Sequence, residues 1–153
     1  MPDVTVTSAT FNMYHFRSWA AGVSWTFQLA GRQASFNENT ITWSNAGGIT
    51  TGAVNIGPAL SMPGGNGGDG KDVVPAQWRQ VDLTSFFNAN KGTTVTLVLK
   101  CTSTGTDQGG SIEDREGSRT GNAANGPYIE YVPEPATLAL LAAGLGMAFR
   151  RKR

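Results

Sequence analysis

Val23, Trp25, Phe27 and Leu29 alternate with Ser24, Thr26 and Gln28. A period of two sends the first set to one side of an extended chain and the second to the other. This stretch therefore predicts a strand with one face on a core and one in water. Thr93 to Cys101 repeats the pattern: Val95, Leu97, Leu99 and Cys101 alternate with Thr94, Thr96, Val98 and Lys100. Near the start, Ala9, Phe11 and Met13 alternate with Thr10, Asn12 and Tyr14, and Tyr128 to Val132 reads as a closing strand. Thr40 to Trp43 and Ala53 to Ile56 are shorter strand candidates. Gln77 to Leu83 is a further element. Thr84 then caps one short helix over Ser85 to Asn90, with Gly92 as its stop. Residues 57–72 and most of 102–126 read as loop, being rich in Gly, Ser, Thr and Asn. Several short strands and one helical turn predict an all-β fold, an antiparallel β-sandwich or jelly roll, over residues 1–131. No self-repeat points to a solenoid or propeller.

Composition removes several classes of chemistry. Charged residues are only 15% of the 153, against about 25% in an average domain. The last four residues hold four of the 12 basic side chains, which leaves the rest with 8 basic against 11 acidic residues and a net charge of −3. A mildly acidic body is not a nucleic-acid binder. With one Cys and one His, neither an intrachain disulfide nor a Cys- or His-rich metal site can form. No cofactor is expected. Calcium is the one ion with candidate ligands. Gly64 to Asp69 matches the first six positions of a calcium nonapeptide. Lys71 takes its apolar position, and no second copy follows. Calcium takes six to eight oxygen ligands, so the loop alone is insufficient. Asp107, Glu113 and Asp114 are the other oxygen donors weighed.

The C-terminal part is a different kind of segment. Val132-Pro133-Glu134-Pro135 interrupts both strand and helix. The 14 residues from Ala136 to Phe149 follow without a charge, with Leu138, Leu140, Leu141 and Leu145 among them. Arg150, Arg151, Lys152 and Arg153 close the chain. Fourteen helical residues span about 21 Å, short of a roughly 30 Å hydrocarbon core. Extension from Glu134 through snorkelling Arg side chains closes the gap. A basic end holds such a helix with its C-terminus in the cytoplasm. The alternative is a helix buried in a soluble core. The apolar residues run all round the helix and the Pro pair sets it apart, which favours the membrane.

Pro133-Glu134-Pro135, the apolar stretch and the basic cluster, in that order, resemble the PEP-CTERM sorting signal, over residues 132–153. The resemblance implies a Gram-negative bacterium that makes exopolysaccharide, export, a transient inner-membrane anchor and removal of the tail by an exosortase. A cell-surface, matrix or biofilm location follows. The body resembles the DNRLRE family of extracellular β-sandwich modules. The segments that carry it are Thr7 to Phe11, Asn37 to Trp43, Val81 to Thr84, Val95 to Leu99, Asp114 to Glu116 and Pro127 to Tyr131. The family's opening strands have no counterpart here, and the loop at 57–75 is long, so the resemblance implies an N-terminally incomplete module. Some relatives bind polysaccharide.

No catalytic residue is assigned. His15 ends a strand pattern and reads as a strand-edge or surface residue, and no nucleophile elbow accompanies it. Glu113, Asp114 and Glu116 could pair as glycosidase carboxylates, but charges in a Gly-rich stretch read more simply as a solvated turn. Arg115 and Glu116 match a recurring Arg-Glu pair of the DNRLRE modules, which implies a buried structural ion pair. Polysaccharide recognition needs exposed aromatic rings beside hydrogen-bonding side chains. Tyr14, Trp19, Trp43 and Trp78 are the candidates, with Arg17, Arg79 and Asn45 near them in sequence. Trp25 belongs to the core, and Cys101 continues the inward face of its strand. The expected function is a non-catalytic exported protein with a structural or polysaccharide-binding body. The alternative is an accessory fragment of a polysaccharide lyase or glycosidase.

Overall fold

The computed structural model describes residues 1–18, 22–35, 40, 42, 44, 50–65, 71–104, 109–117 and 120–135, with 71–75 described by backbone alone. Among the described residues eight strands run in the order β1 (Val6–Ser18), β2 (Trp25–Arg32), β3 (Val54–Asn55), β4 (Leu60–Met62), β5 (Lys71–Asp82), β6 (Thr96–Cys101), β7 (Gly110–Ile112) and β8 (Tyr128–Pro133). The helix α1 (Thr84–Ala89) links β5 to β6, and a 3-10 turn (Ala123–Asn125) precedes β8. The strands form two antiparallel four-stranded sheets, so the all-β sandwich holds. In the first sheet β1 is central: β5 lies along one side, and β8 and β7 lie end to end along the other. In the second sheet β2 is central, with β6 on one side and β4 and β3 end to end on the other.

The core lies between the sheets. Trp25, Phe27 and Leu29 of β2 face Ala9 and Met13 of β1, with Met62, Val81, Leu83 and Phe87 closing around them. Phe27, Phe87, Met13, Leu29, Met62 and Leu83 are under 2% exposed, and each contributes about 1.5–3 kcal/mol by burial. Gly31 of β2 lies beneath the Phe86 ring, and a Cβ there would overlap it. That close approach lets α1 close the end of the sandwich.

Several expectations change. The 57–72 loop contains β4, and β5 begins at Lys71 rather than Gln77; three-residue alternation among Gly and Pro leaves too little periodicity to read. Strand β7 likewise interrupts the 102–126 loop. The polar face of β2 is not all in water. Gln28 is buried because its Nε2 lies 2.9–3.1 Å from the carbonyl oxygens of Leu29, Ile56 and Gly57. Val23, on the apolar side of the pattern, is 39% exposed. Thr84 is the first helical residue and not the cap. Asp82 Oδ1 accepts from both Thr84 N–H (2.8 Å) and Thr84 Oγ1–H (2.6 Å), which holds the Asp82 carboxyl below its usual range. Thr84 Oγ1 in turn accepts from Ala9 N at 3.0 Å and ties the helix to β1. Strand β8 runs one residue beyond its expected end at Val132 and takes in Pro133. Pro133 is tolerated because β8 is an edge strand, and Glu134 N still donates to Thr5 O at 2.9 Å. The Thr40–Trp43 strand and the apolar helix after Pro135 fall largely or wholly outside the described residues.

Candidate functional site

Strand β1 carries two register shifts, one between Val6 and Ser8 and one between His15 and Arg17. Each extra residue flips the side chains beyond it to the other face. Ala9, Phe11, Met13 and His15 point inward, and beyond the second shift Ser18 does so instead. Between the shifts Thr10, Asn12 and Tyr14 take the outer face. Antiparallel partners share a face, so Trp78 and Gln80 of β5 and Tyr128 and Glu130 of β8 join them there.

The result is an aromatic row across three strands. Tyr14 and Trp78 are direct cross-strand partners, with ring centroids 5.3 Å apart at 63°. Trp78 meets Tyr128 at 5.4 Å and 71°. Edge-to-face packing of this kind holds the rings in fixed orientations. Trp78 remains 38% and Tyr128 47% exposed. Asn12 sits among them on the same face yet is only 1% exposed, and its Oδ1 accepts from Gln80 Nε2 at 2.8 Å. That bond orients the Asn12 amide beside the aromatic row, and Gln80 presents the adjoining exposed amide. Apolar ring surface next to oriented amides is the chemistry that recognises a sugar, with its apolar C–H face and its hydroxyls.

On the other side of β1 lies a buried polar cluster. His15 is fully buried and packs edge-to-face on Trp25 at 5.7 Å. It is neither an edge nor a surface residue, because β5 and β7 flank it and the opposite sheet covers it. His15 Nε2 lies 2.9 Å from Arg17 O and 3.2 Å from Ser18 Oγ. Ser18 Oγ donates to Pro63 O at 2.6 Å and accepts from Trp25 Nε1 at 3.1 Å. The network thus assigns the proton to His15 Nε2 and leaves Nδ1 without a hydrogen-bond partner. Burial, with the Arg79 charge adding to it, pushes the imidazole down to about 4 against a bond to Arg17 O that raises it. Ser18 and His15 touch, but the hydroxyl proton is committed to Pro63 and both residues are 0% exposed. Gly110 closes the cluster: a Cβ would collide with Arg17 O and stand 2.7 Å from the Trp25 ring.

The remaining candidates are dispersed. Trp19, Trp43 and Asn45 lie outside the described residues, as does Asp107. Arg115 and Glu116 do pair, at 2.9 Å, but with side chains 80% and 61% exposed. The pair is not buried, because both residues occupy one turn that faces solvent. The buried carboxylate is Glu113 instead, 2% exposed, whose Oε2 accepts from Thr120 N at 2.7 Å and pins the following loop. Cys101 is on the inward face yet exposed, because no second strand flanks β6 among the described residues. No cluster of three or more His, Cys, Asp or Glu that could hold a metal occurs among the described residues. Tyr128 is the site residue that sequence reasoning missed. It reads as an ordinary closing-strand residue until β8 is known to pair with β1.

Comparison with known families places the C-terminal segment. The profile of the PEP-CTERM protein-sorting motif matches residues 132–153. The chain carries a PEP-CTERM sorting signal. The signal makes it an exosortase-sorted protein, exported to the cell surface or the extracellular space. The motif's first residues, Val132 and Pro133, are thus the end of β8. Among the described residues no helix is long and apolar enough to cross a membrane; the apolar stretch 136–149 lies outside them. Neither the search of curated proteins nor that of solved structures finds a match, so the DNRLRE likeness of the body rests on its short sequence segments.

Proposed function

We propose that the protein is a surface or matrix component that binds extracellular polysaccharide through its outer sheet face, without turning it over. In this reading the apolar tail anchors the chain transiently in the inner membrane, and exosortase cuts near Pro133-Glu134-Pro135. The observation that carries the reading is the half-exposed Tyr14–Trp78–Tyr128 row with the Asn12–Gln80 amides beside it. Sugar rings lie against exposed aromatic faces, and the amides supply donors and acceptors for the hydroxyls. Rings exposed on the outer face of a sheet, as Trp78 and Tyr128 are, suit a long polymer rather than an enclosed small ligand. Affinity electrophoresis through gels containing individual polysaccharides, with a reducing-end assay alongside, tests it. Retardation without release of reducing ends is expected; release in proportion to protein would overturn the non-catalytic reading. Intact-mass measurement of protein released by an exosortase-containing host checks the processing, and a mature form still ending in Arg153 would contradict it.

A further inference from the structure

The flank of the sandwich between β6 and the β7–β8 edge is open. Leu99, Ile129 and Tyr131 come from the inward faces of their strands, yet they are 38%, 37% and 39% exposed. Two cavities lie along this flank. One, of about 350 Å³, is bounded by Phe27, Leu99, Cys101 and Ile112, and the other, of about 290 Å³, by Phe87, Leu97, Ile129 and Tyr131. Among the described residues β6 pairs with β2 alone. Thr102 N donates to Thr26 O at 2.9 Å, so even-numbered residues of β6 bond towards β2 and odd-numbered ones turn their N–H and C=O outward. Among the described residues the outward backbone groups of Leu97, Leu99 and Cys101 thus meet no partner strand, and they lie beside the half-buried Leu97 and the exposed Leu99 side chains.

The other edges are guarded in ways that β6 is not. Strand β5 contains Lys71, Asp72 and Pro75; β3, β4 and β7 are two or three residues long; β8 contains Glu130 and ends in Pro133. Strand β6 has no Pro and no bulge, and its one charge, Lys100, is drawn across β2 to Asn55 Oδ1 at 3.0 Å. A partner strand must itself be unguarded, and β6 is the one described edge of this chain that qualifies. It is also self-complementary. A two-fold axis at Val98 sets Leu97 against Leu99 and Lys100 against Thr96, so no like charges meet and the outward backbone groups face each other.

We propose that β6 pairs antiparallel with β6 of a second copy of this chain about a two-fold axis at Val98. The two four-stranded sheets then become one eight-stranded sheet, and the second copy covers the exposed flank. An isologous contact of this kind closes on itself and gives a dimer, not a fibre.

The test uses the full chain in nonionic detergent micelles, which hold the apolar tail. Sedimentation equilibrium is expected to give a dimer for the wild-type protein and a monomer for Leu99→Lys, with circular dichroism showing that the variant is folded. Val98→Cys in a Cys101→Ser background tests the register independently of that variant. Facing non-hydrogen-bonded residues have Cα atoms about 4.5 Å apart, within disulfide range, so oxidation should link most of the protein. Lys100→Cys in the same background should not link, because the two copies of residue 100 then stand roughly 13 Å apart. A monomeric wild type, a dimer that survives in folded Leu99→Lys, or equal linking at both cysteine positions would overturn the proposal.

Discussion

Strands β1 and β2 occupy equivalent places in their sheets. Each is central, with one partner strand on one side and two strands end to end on the other. Strand β2 shows no register shift along its pairing with β6, and its inward residues Trp25, Phe27 and Leu29 are all hydrophobic. Strand β1 shifts register twice, and its inward side includes buried His15 and Ser18. Its outward side between the shifts holds the aromatic row. The difference teaches where each kind of work is placed. Unbroken alternation gives a dry wall that holds the sandwich together. Bulges re-aim side chains and gather polar and aromatic groups that a regular strand would scatter.

The sharpest way to break this contrast is in the dry wall. Phe27→Ala removes a ring that is 1% exposed at the centre of β2, and should cost about 3–5 kcal/mol. Urea unfolding would show this as a large drop in midpoint. A small drop would mean that β2 does not carry the core.

The polar side of β1 should respond to pH where β2 does not. The His15 imidazole has its folded value near 4 against an ordinary 6.5. Between those values the unfolded chain binds more protons than the folded one, so stability rises with pH across that window. The contribution is complete above about pH 6.5 and is lost as pH falls towards 4. Its ceiling is roughly 3 kcal/mol. Urea midpoints at pH 4.5 and 7.5 should differ more in the wild type than in His15→Gln, whose amide can still donate to Arg17 O. Equal pH sensitivity would remove His15 from the account.

Gly110→Ala places a methyl group against Arg17 O and the Trp25 ring, and should cost about 1–3 kcal/mol by overpacking. A thermal midpoint equal to wild type would show that the cluster is looser than its contacts indicate. At the small end, Glu116→Gln breaks a solvent-exposed ion pair and should leave the midpoint unchanged. A clear drop would restore the buried-pair expectation.

The same contrast explains what could be read from the chain alone. Trp25 to Leu29 declared itself because period-two alternation over several residues has one simple solution. The PEP-CTERM signal was legible for a related reason: a linear motif is read along the chain and needs no tertiary contact. The register shift at Phe16 was not legible, since no local residue type marks a bulge, and with it went the burial of Ser18; His15 continues the inward alternation of Ala9, Phe11 and Met13, but its burial depends on the β5 and β7 strands that flank it. Gln28 looked solvent-facing because the Ile56 and Gly57 carbonyls that satisfy it lie across a strand pairing. Tyr14 and Trp78 could be named as exposed aromatics, but their meeting depends on the β1–β5 register, and the addition of Tyr128 on β8 pairing with β1. Single residues of the site were visible; their assembly is a property of the sheet.

The claim that the outer face of β1 and its neighbours is a polysaccharide platform is tested most directly by Trp78→Ala. Trp78 lies at the centre of the row and is 38% exposed, so its loss should move the thermal midpoint by only a few degrees. Affinity electrophoresis of wild type and variant is run side by side against neutral and acidic polysaccharides. The account predicts that at least one polysaccharide retards the wild-type protein and that Trp78→Ala weakens this about tenfold or more. Equal retardation of the folded variant, or no retardation of the wild type by any polysaccharide, would contradict it.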